Sequence, residues 1–424
     1  MLRMGYGETD ITPTKCLELV GFNRRNALSE GILGPLKAQI SVWEGEMRCC
    51  LITIDSLGFT KKLADTLRRK AANTLNVSKD EVMLCFSHTH AAPNAEAYPA
   101  YFEMVCVNVL TALIEARQNI QTVRAGCMNA EVDIGVNRRA REDEVDKRAG
   151  VLKVCDADGK IKLLIVRVSA HCNVLKRDNL CISPDYFGAI RDRFGKEYHC
   201  PVMVIQGASG NVAPKFFDSN LTPSDASGTE YVRSKTALLD MADTVYKRIE
   251  SGIEKLETKD PDFITMYTKE IEFCSHVPAM KTAAEIAEEA KRICSIDASE
   301  WLREIQRLHK LGIKRQYEKA EVQYFAIDKF CLCGVPYEIM TEFSLEAMKK
   351  TGNMFFYING YTNGCLSYFP TAEAFDEGGY EVYYAMLLYF KYYNRVFPFE
   401  RDSAEKLSAF MIENAPDYSD AYSS

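Results

Sequence analysis

Positive charge is not in excess in this chain of 424 residues, which has 52 lysines and arginines against 59 aspartates and glutamates. The net charge is −7. Proteins that bind the phosphate backbone of nucleic acids need clustered lysine and arginine, so this balance argues against a nucleic-acid partner. The share of hydrophobic residues, 47%, is that of an ordinary globular protein and supplies material for a large core.

Long hydrophobic runs are also missing. No stretch of about 18 apolar residues predicts a membrane-spanning helix, and residues 1–13 lack the apolar segment of a signal peptide. We therefore expect a cytoplasmic protein with no stable membrane insertion. The 15 cysteines form no paired CxxC motifs, so we expect reduced, mostly buried thiols rather than a thiolate zinc site.

The predicted elements indicate an α/β fold, because strand-like runs alternate with segments of helical periodicity. The clearest strand-like runs are 38–43, 50–54, 82–86, 163–169 and 201–205, and the clearest helical segments are 61–75, 101–116 and 184–194. We predict a layered mixed β-sheet core flanked by helices. No repeat or long linker divides the chain, so residues 1–413 are predicted to form one domain, followed by a polar tail, 414–424.

Residues 280–320 differ from their surroundings, since they are charged, have helical spacing and are interrupted near residues 295–297. This pattern predicts a helical hairpin that packs outside the sheet. The simplest interpretation of its polar side is a solvated helix face. The alternative is a role in binding a partner or a membrane surface.

Only six histidines occur, and His88, His90 and His171 follow strand-like runs. Residues two apart in a strand point to the same face, so His88 and His90 can reach one spot. Sites in open α/β sheets lie at the carboxyl ends of strands, where His171 is also expected. Imidazole nitrogen is a good zinc ligand, so the pattern predicts a metal site, with ordinary packing of the histidines as the alternative.

Several motifs, in chain order, resemble the catalytic domain of neutral ceramidases. The motifs are GETDITP (7–13), VGFNRR (20–25), TIDSLG (53–58), FSHTHAAP (86–93), VNRR (136–139), SAHCN (169–173), SPDYFG (183–188), QGASGNVAP (206–214), VPYEIMTEFS (335–344) and YFPTAEAFDEGGYE (368–381). The resemblance covers nearly the whole chain. It implies a zinc-dependent hydrolase that splits an amide bond of an N-acyl substrate with a metal-activated water.

The same resemblance implies a role for individual residues. One Zn²⁺ per chain would be held by His88, His171, Glu338 and Tyr368. The catalytic residues would be His90 for proton handling, Tyr380 for stabilising the oxyanion and Arg138 near the substrate amide. The further candidates near the metal or the substrate are Asp55 and Asp185, which could orient the imidazoles, and Asn211 in the small-residue loop.

Two departures from the family are expected: no C-terminal immunoglobulin-like domain, and Ala91–Asn94 where the family has a glycine-rich run after the His88-Thr89-His90 motif. Two alternatives therefore remain beside an N-acyl hydrolase. One is a zinc hydrolase of an ester or another C–N bond in a small soluble metabolite, and the other is a non-catalytic ligand-binding protein with the same fold. The sequence leaves the oligomeric state open.

Overall fold

The computed structural model describes residues 1–24, 27–139, 141, 143–215 and 235–417. In these ranges the strands are β1 (Arg3–Asp10), β2 (Gly31–Ile32), β3 (Lys37–Glu44), β4 (Arg48–Ile54), β5 (Val82–Phe86), β6 (Gln121–Thr122), β7 (Arg124–Glu131), β8 (Gly135–Asn137), β9 (Arg148–Cys155), β10 (Ile161–Val168), β11 (Cys181–Ile182), β12 (Val202–Gln206), β13 (Val212–Pro214), β14 (Ile264–His276), β15 (Arg315–Ile327), β16 (Phe330–Gly334), β17 (Glu338–Ile339), β18 (Phe356–Asn359) and β19 (Tyr368–Phe369).

The helices of the described residues are α1 (Lys61–Leu75), α2 (Pro99–Gln118), α3 (Asp185–Tyr198), α4 (Lys235–Lys255), α5 (Met280–Cys294), α6 (Ser299–Lys310), α7 (Thr341–Thr351), α8 (Ala372–Glu377), α9 (Ala385–Tyr393) and α10 (Ser403–Glu413). A 3₁₀ turn spans Lys79–Glu81, and a π-helical turn, Tyr380–Tyr384, leads directly into α9.

Three larger sheets, each with parallel and antiparallel pairs, form the centre of the molecule. The first has the order β5-β4-β3-β1-β6, the second β12-β10-β9-β7 and the third β14-β15-β16-β18. The strand-like runs predicted at 38–43 and 50–54 are present as β3 and β4, which pair antiparallel. The predicted fold class, a layered mixed-sheet core flanked by helices, is confirmed.

Alternating side chains divide the core between the sheets and the helices. Leu51 of the first sheet, Ile165 of the second and Phe325 of the third belong to one buried cluster that the three sheets share. Neighbouring residues of the same strands point the other way, as Ile52 does toward α1 and α2. Helices α3 and α4 cover the second sheet, and α7 and α10 cover the third. The period of two in each strand thus builds a layered molecule.

Helix α2 is long and apolar enough to cross a membrane by length and composition alone. Here it lies against β1, because Gly5 and Gly7 leave room for its backbone. A Cβ at either glycine would overlap the carbonyl oxygen of Ala116 or Ala112. The apolar residues of α2 that face β1 are therefore buried in the core of the first layer.

The helical hairpin predicted over residues 280–320 is present, but its predicted C-terminal boundary at residue 320 is wrong. Helices α5 and α6 meet at the expected break, and α6 ends at Lys310. Residues 315–327 instead form β15, which pairs along its whole length with β14. The first half of β15 is charged and largely exposed, which made its composition resemble that of a solvated helix. Of the predicted tail, residues 418–424 lie outside the described residues.

Candidate metal centre

His88 and His90 come together in the loop that follows β5. Their ring centroids are 4.9 Å apart, with the ring planes nearly perpendicular. Strand alternation is not the reason, because β5 ends at Phe86 and His88 has a left-handed backbone, φ 61°. Such a conformation is costly for a residue with a Cβ and is held only by surrounding contacts.

His171 reaches the same point from the loop after β10. Its ring centroid lies 4.6 Å from that of His88 and 5.3 Å from that of His90. The backbone N–H of His171 donates to Val212 O, which ties this loop to β13. One nitrogen from each of the three imidazoles lies within 4.8 Å of the others, so the three histidines could hold a metal ion.

Backbone carbonyls fix which nitrogen of His88 and His171 is free. His88 Nδ1 lies 2.6 Å from Leu57 O, and His171 Nδ1 lies 3.1 Å from Ser209 O. Because a carbonyl oxygen only accepts, each Nδ1 carries the hydrogen and each Nε2 keeps its lone pair when the ring is neutral. Burial, reinforced by the neighbouring His88, lowers the pKa of His171 well below its ordinary value and favours the neutral ring that a metal ion requires.

Glu338 completes the centre from the short strand β17. Its Oε2 lies 3.3 Å from His88 Nε2 and 3.7 Å from His171 Nε2. That oxygen is buried without a hydrogen-bond partner, and so are both ring nitrogens of His90. Buried polar atoms normally have a partner, so these orphaned donor and acceptor atoms fit a bound ion. Imidazole nitrogen with a carboxylate oxygen is a donor set suited to zinc.

Tyr361 is a contact residue that the sequence analysis did not single out. Its ring stacks on His88 at 4.1 Å between centroids, and its hydroxyl lies 3.4 Å from His171 Nδ1. The residue is fully buried and also has a left-handed backbone, φ 53°. The glycine-rich stretch around it, 359–364, was the signal that could have pointed to it.

Tyr368, Tyr380 and Arg138 lie together beside Glu338. Strand β19 pairs with β17 so that Tyr368 is the direct neighbour of Glu338. The Tyr368 and Tyr380 rings are 6.0 Å apart, and Tyr380 begins the π-helical turn after two glycines. Arg138 forms an ion pair of 3.2 Å with Glu381 and donates to Gly210 O. The four predicted metal-site residues and the three predicted catalytic residues thus line one cavity.

Burial and neighbouring charges determine the protonation of Tyr368, Tyr380 and Arg138. Burial raises the pKa of Tyr380 and Tyr368 well above the usual value, and the negative charge of Glu338 adds to the effect. Both hydroxyls therefore keep their protons at neutral pH. Burial would lower the pKa of Arg138, but Tyr368 and Glu381 outweigh it and raise that pKa, so the guanidinium stays charged.

Asp55 and Asp185, the expected orienting carboxylates, bind other groups. Asp55 accepts two hydrogen bonds from Arg191 and one from the backbone N–H of Lys37. Asp185 accepts from the backbone N–H groups of residues 174, 175 and 186. The imidazoles are oriented by backbone carbonyls instead, so the expectation for these two residues is wrong.

Asn211 is buried behind the site rather than facing the cavity. Its side chain donates to Glu342 at 2.9 Å and accepts from the backbone N–H of Thr341 at 2.9 Å. Its backbone carbonyl accepts from the N–H of Arg138. Asn211 therefore holds the Arg138 loop against the start of α7.

The cavity above the imidazoles has a volume of about 420 Å³. The chain segment 18–24 forms one wall, and Gly21 there has φ 98° and packs directly on His90. A Cβ at Gly21 would lie 2.6 Å from His90 Nδ1, which explains the glycine. Phe22 contacts the same imidazole at 4.5 Å between ring centroids. The sequence motifs alone assign no site role to these wall residues.

Two solved structures share this arrangement of elements. A crystal structure of neutral ceramidase from Pseudomonas aeruginosa matches with a TM-score of 0.73 over 97% of this chain and 73% of that chain, at 17% sequence identity. This chain has the neutral-ceramidase fold. A structure described as ceramidase complexed with C2 matches with a TM-score of 0.70 over 99% of this chain and 77% of that chain, at 15% identity. No family model and no curated protein matches the sequence. The resemblance seen in the sequence motifs is confirmed at the level of the fold.

Proposed function

We propose that the protein is a zinc-dependent hydrolase that cleaves the amide bond of an N-acyl compound, with one zinc ion per chain. The observation that carries this proposal is the convergence of His88, His171 and Glu338 at the floor of the cavity. Two imidazoles are set with Nε2 free, and the carboxylate oxygen between them has no hydrogen-bond partner. The neutral-ceramidase fold supports the choice of reaction.

The residues that would hold zinc are His88, His171 and Glu338, with Tyr368 beside them. When bound, zinc would supply a Lewis acid that lowers the pKa of a water molecule towards about 7. His90 is the competing ligand, because its ring nitrogens are also unpartnered. We assign it to proton handling, since Glu338 already supplies the third strong donor next to the two free Nε2 atoms.

The remaining groups act on the amide. Tyr380 keeps its proton and would donate a hydrogen bond to the carbonyl oxygen as negative charge develops there. Arg138, fixed by Glu381 and Gly210, would add positive charge on the same side. His90 would take a proton from the attacking water and release it to the leaving nitrogen. The carbon–nitrogen bond breaks as a carbon–oxygen bond forms, so one amide and one water give one carboxylic acid and one amine.

The test is a panel of N-acyl compounds and the corresponding esters, with products identified by mass spectrometry. The zinc-loaded protein should give equal amounts of acid and amine, lose this activity in a chelator and recover it with added zinc. His276→Ala is the matched control, because this histidine is exposed and pairs with Glu400 and Arg315, outside the residues that line the cavity. Cleavage of esters alone would refute the amide assignment, and no cleavage by zinc-loaded protein would refute hydrolysis.

The expected cytoplasmic location stays a prediction, which fractionation of the native cells would test.

A further inference from the structure

Helix α9 lies between the cavity and the helical hairpin of α5 and α6, and its two faces differ in role. Leu388, Tyr389 and Tyr392 line the cavity. Leu387 and Phe390 belong to the buried cluster that includes the hairpin, and Leu388 also packs against that cluster. Residues four apart share a helix face, so 388 and 392 lie on one face toward the cavity, and Leu388 stands where this cavity face meets the face that packs on the hairpin.

The hairpin holds the back of α9 and the chain that follows it. Trp301 of α6 is fully buried in this cluster, and its indole N–H donates to Val396 O at 2.7 Å. At the rim, Lys391 of α9 pairs with Glu300 of α6 at 2.8 Å. Because these contacts lie on both sides of the C-terminal end of α9, the hairpin fixes the position of the helix face that lines the cavity.

The cavity face is apolar and aromatic, and it is continuous with the candidate metal centre. Phe22 and Phe59 line the same cavity. A volume of about 420 Å³ is near the lower end of the roughly 300–1,000 Å³ that hold a drug-sized ligand. A molecule with two long chains would have to leave part of them outside, whereas one chain can lie along the helix.

The positive charges at this cavity are already committed. Arg24 donates to the backbone carbonyls of Val20, His90 and residues 176, 177 and 179. Arg138 is held by Glu381 and Gly210. Among the described lining residues, neither arginine is left to bind a free carboxylate, so the walls suit an uncharged, apolar group.

We propose that Leu388, Tyr389 and Tyr392 bind the acyl chain of a single-chain N-acyl substrate, and that the α5–α6 hairpin holds these specificity-determining residues in position. The inference rests on the proposed function for the nature of the ligand, an acyl amide. In this proposal the hairpin contributes to substrate selection, and α9 determines the length of acyl chain that the cavity accepts.

The test is calorimetric binding of straight-chain primary amides of increasing length to metal-depleted protein, so that no turnover interferes. Burial of each methylene contributes about 0.8 kcal/mol, so affinity should rise about fourfold per methylene until the chain outgrows the face. Leu388→Ala and Tyr392→Ala should flatten this rise. Tyr317→Ala, which removes an exposed tyrosine of β15, should leave it unchanged.

The hairpin is tested by replacing its tryptophan. Trp301→Phe should weaken binding of long amides severalfold more than that of the shortest one. Trp43→Phe is the matched control, since Trp43 is equally buried and donates to Ser41 Oγ at 2.9 Å, but it lies between the sheets. Both variants should lose stability, and only Trp301→Phe should change the dependence on chain length.

The outcomes separate this inference from the proposed function. If the zinc-loaded protein cleaves N-acyl compounds but the α9 variants keep the wild-type dependence on chain length, the inference is overturned and the function stands. If the amides bind with the expected dependence but nothing is cleaved, the function fails and the role of α9 stands. Equal effects of Trp301→Phe and Trp43→Phe would overturn the role of the hairpin.

Discussion

The Tyr361 side chain contacts two of the three imidazoles, so its removal in steps should weaken the metal centre in steps. The ring stacks on His88, and the hydroxyl lies 3.4 Å from His171 Nδ1 and 3.5 Å from Ser209 Oγ. Tyr361→Phe removes only the hydroxyl contacts, whereas Tyr361→Leu removes the stacking as well.

The structure sets the size of each step. The two hydroxyl contacts are long, so their joint loss should cost about 1 kcal/mol, or roughly fivefold in zinc affinity. An aromatic stack contributes about 0.5–1.5 kcal/mol beyond its buried area, so Tyr361→Leu should fall in the 10–100-fold range typical of partners that orient a ligand.

The assay is the zinc dissociation constant from competition with a chelator, beside the melting temperature of the metal-free protein. Tyr324→Phe is the control, because it removes a buried hydroxyl bonded to Met411 O, away from the imidazoles. It should lower the melting temperature without changing zinc affinity. Wild-type zinc affinity in both Tyr361 variants would refute the orienting role.

Three further predictions concern the ligand set, the chemistry and the fold. Glu338→Gln should weaken zinc binding by more than about 100-fold, whereas His90→Ala should keep the metal and lose turnover; the reverse result in metal analysis would make the three histidines the ligand set. Tyr380→Phe should retain zinc and lose about 10²–10³ in kcat, and a fully active variant in steady-state assays would rule out its oxyanion role. Burial alone would raise the pKa of Glu321, but Arg68 and two lysines lower it from 4.5 to about 2. This carboxylate therefore contributes about 3 kcal/mol of stability above its unfolded pKa, and that contribution is lost as the pH falls towards 2. Denaturant unfolding of Glu321→Gln should show a smaller loss between neutral and acid pH than wild type, and an unchanged pH dependence would contradict the assignment.

Much of the fold could be predicted because the strands bury alternating or fully apolar residues over short runs. The helix predicted over 61–75 and the strand predicted over 82–86 have those bounds in the structure. The predicted end of the helical hairpin at residue 320 was wrong because the first half of β15 pairs with β14 in a long, exposed two-stranded ribbon. The charged residues of this ribbon show no alternation that would mark a buried face. How the three sheets share one core depends on contacts between distant strands, which periodicity does not encode.

The candidate site was predictable in its residues more than in its geometry. The resemblance of the motifs predicted that His88, His171 and Glu338 meet at one site, and in the structure Glu338 Oε2 lies 3.3 Å from His88 Nε2 and 3.7 Å from His171 Nε2. The orienting groups could not be found from residue type, since backbone carbonyls at Leu57 and Ser209 do the work assigned to aspartates. Every residue has a backbone carbonyl, so only the conformation of the folded loops determines that these two carbonyls point at the imidazoles.

The central claim, that this chain is a zinc enzyme built on His171 and its neighbours, is tested most directly by elemental analysis of the purified protein beside its His171→Ala variant. The account predicts close to one zinc per chain in the wild type and loss of zinc in the variant, with both proteins folded. No zinc in either, even after adding it back, would contradict the hydrolase proposal and leave the neutral-ceramidase fold with another function.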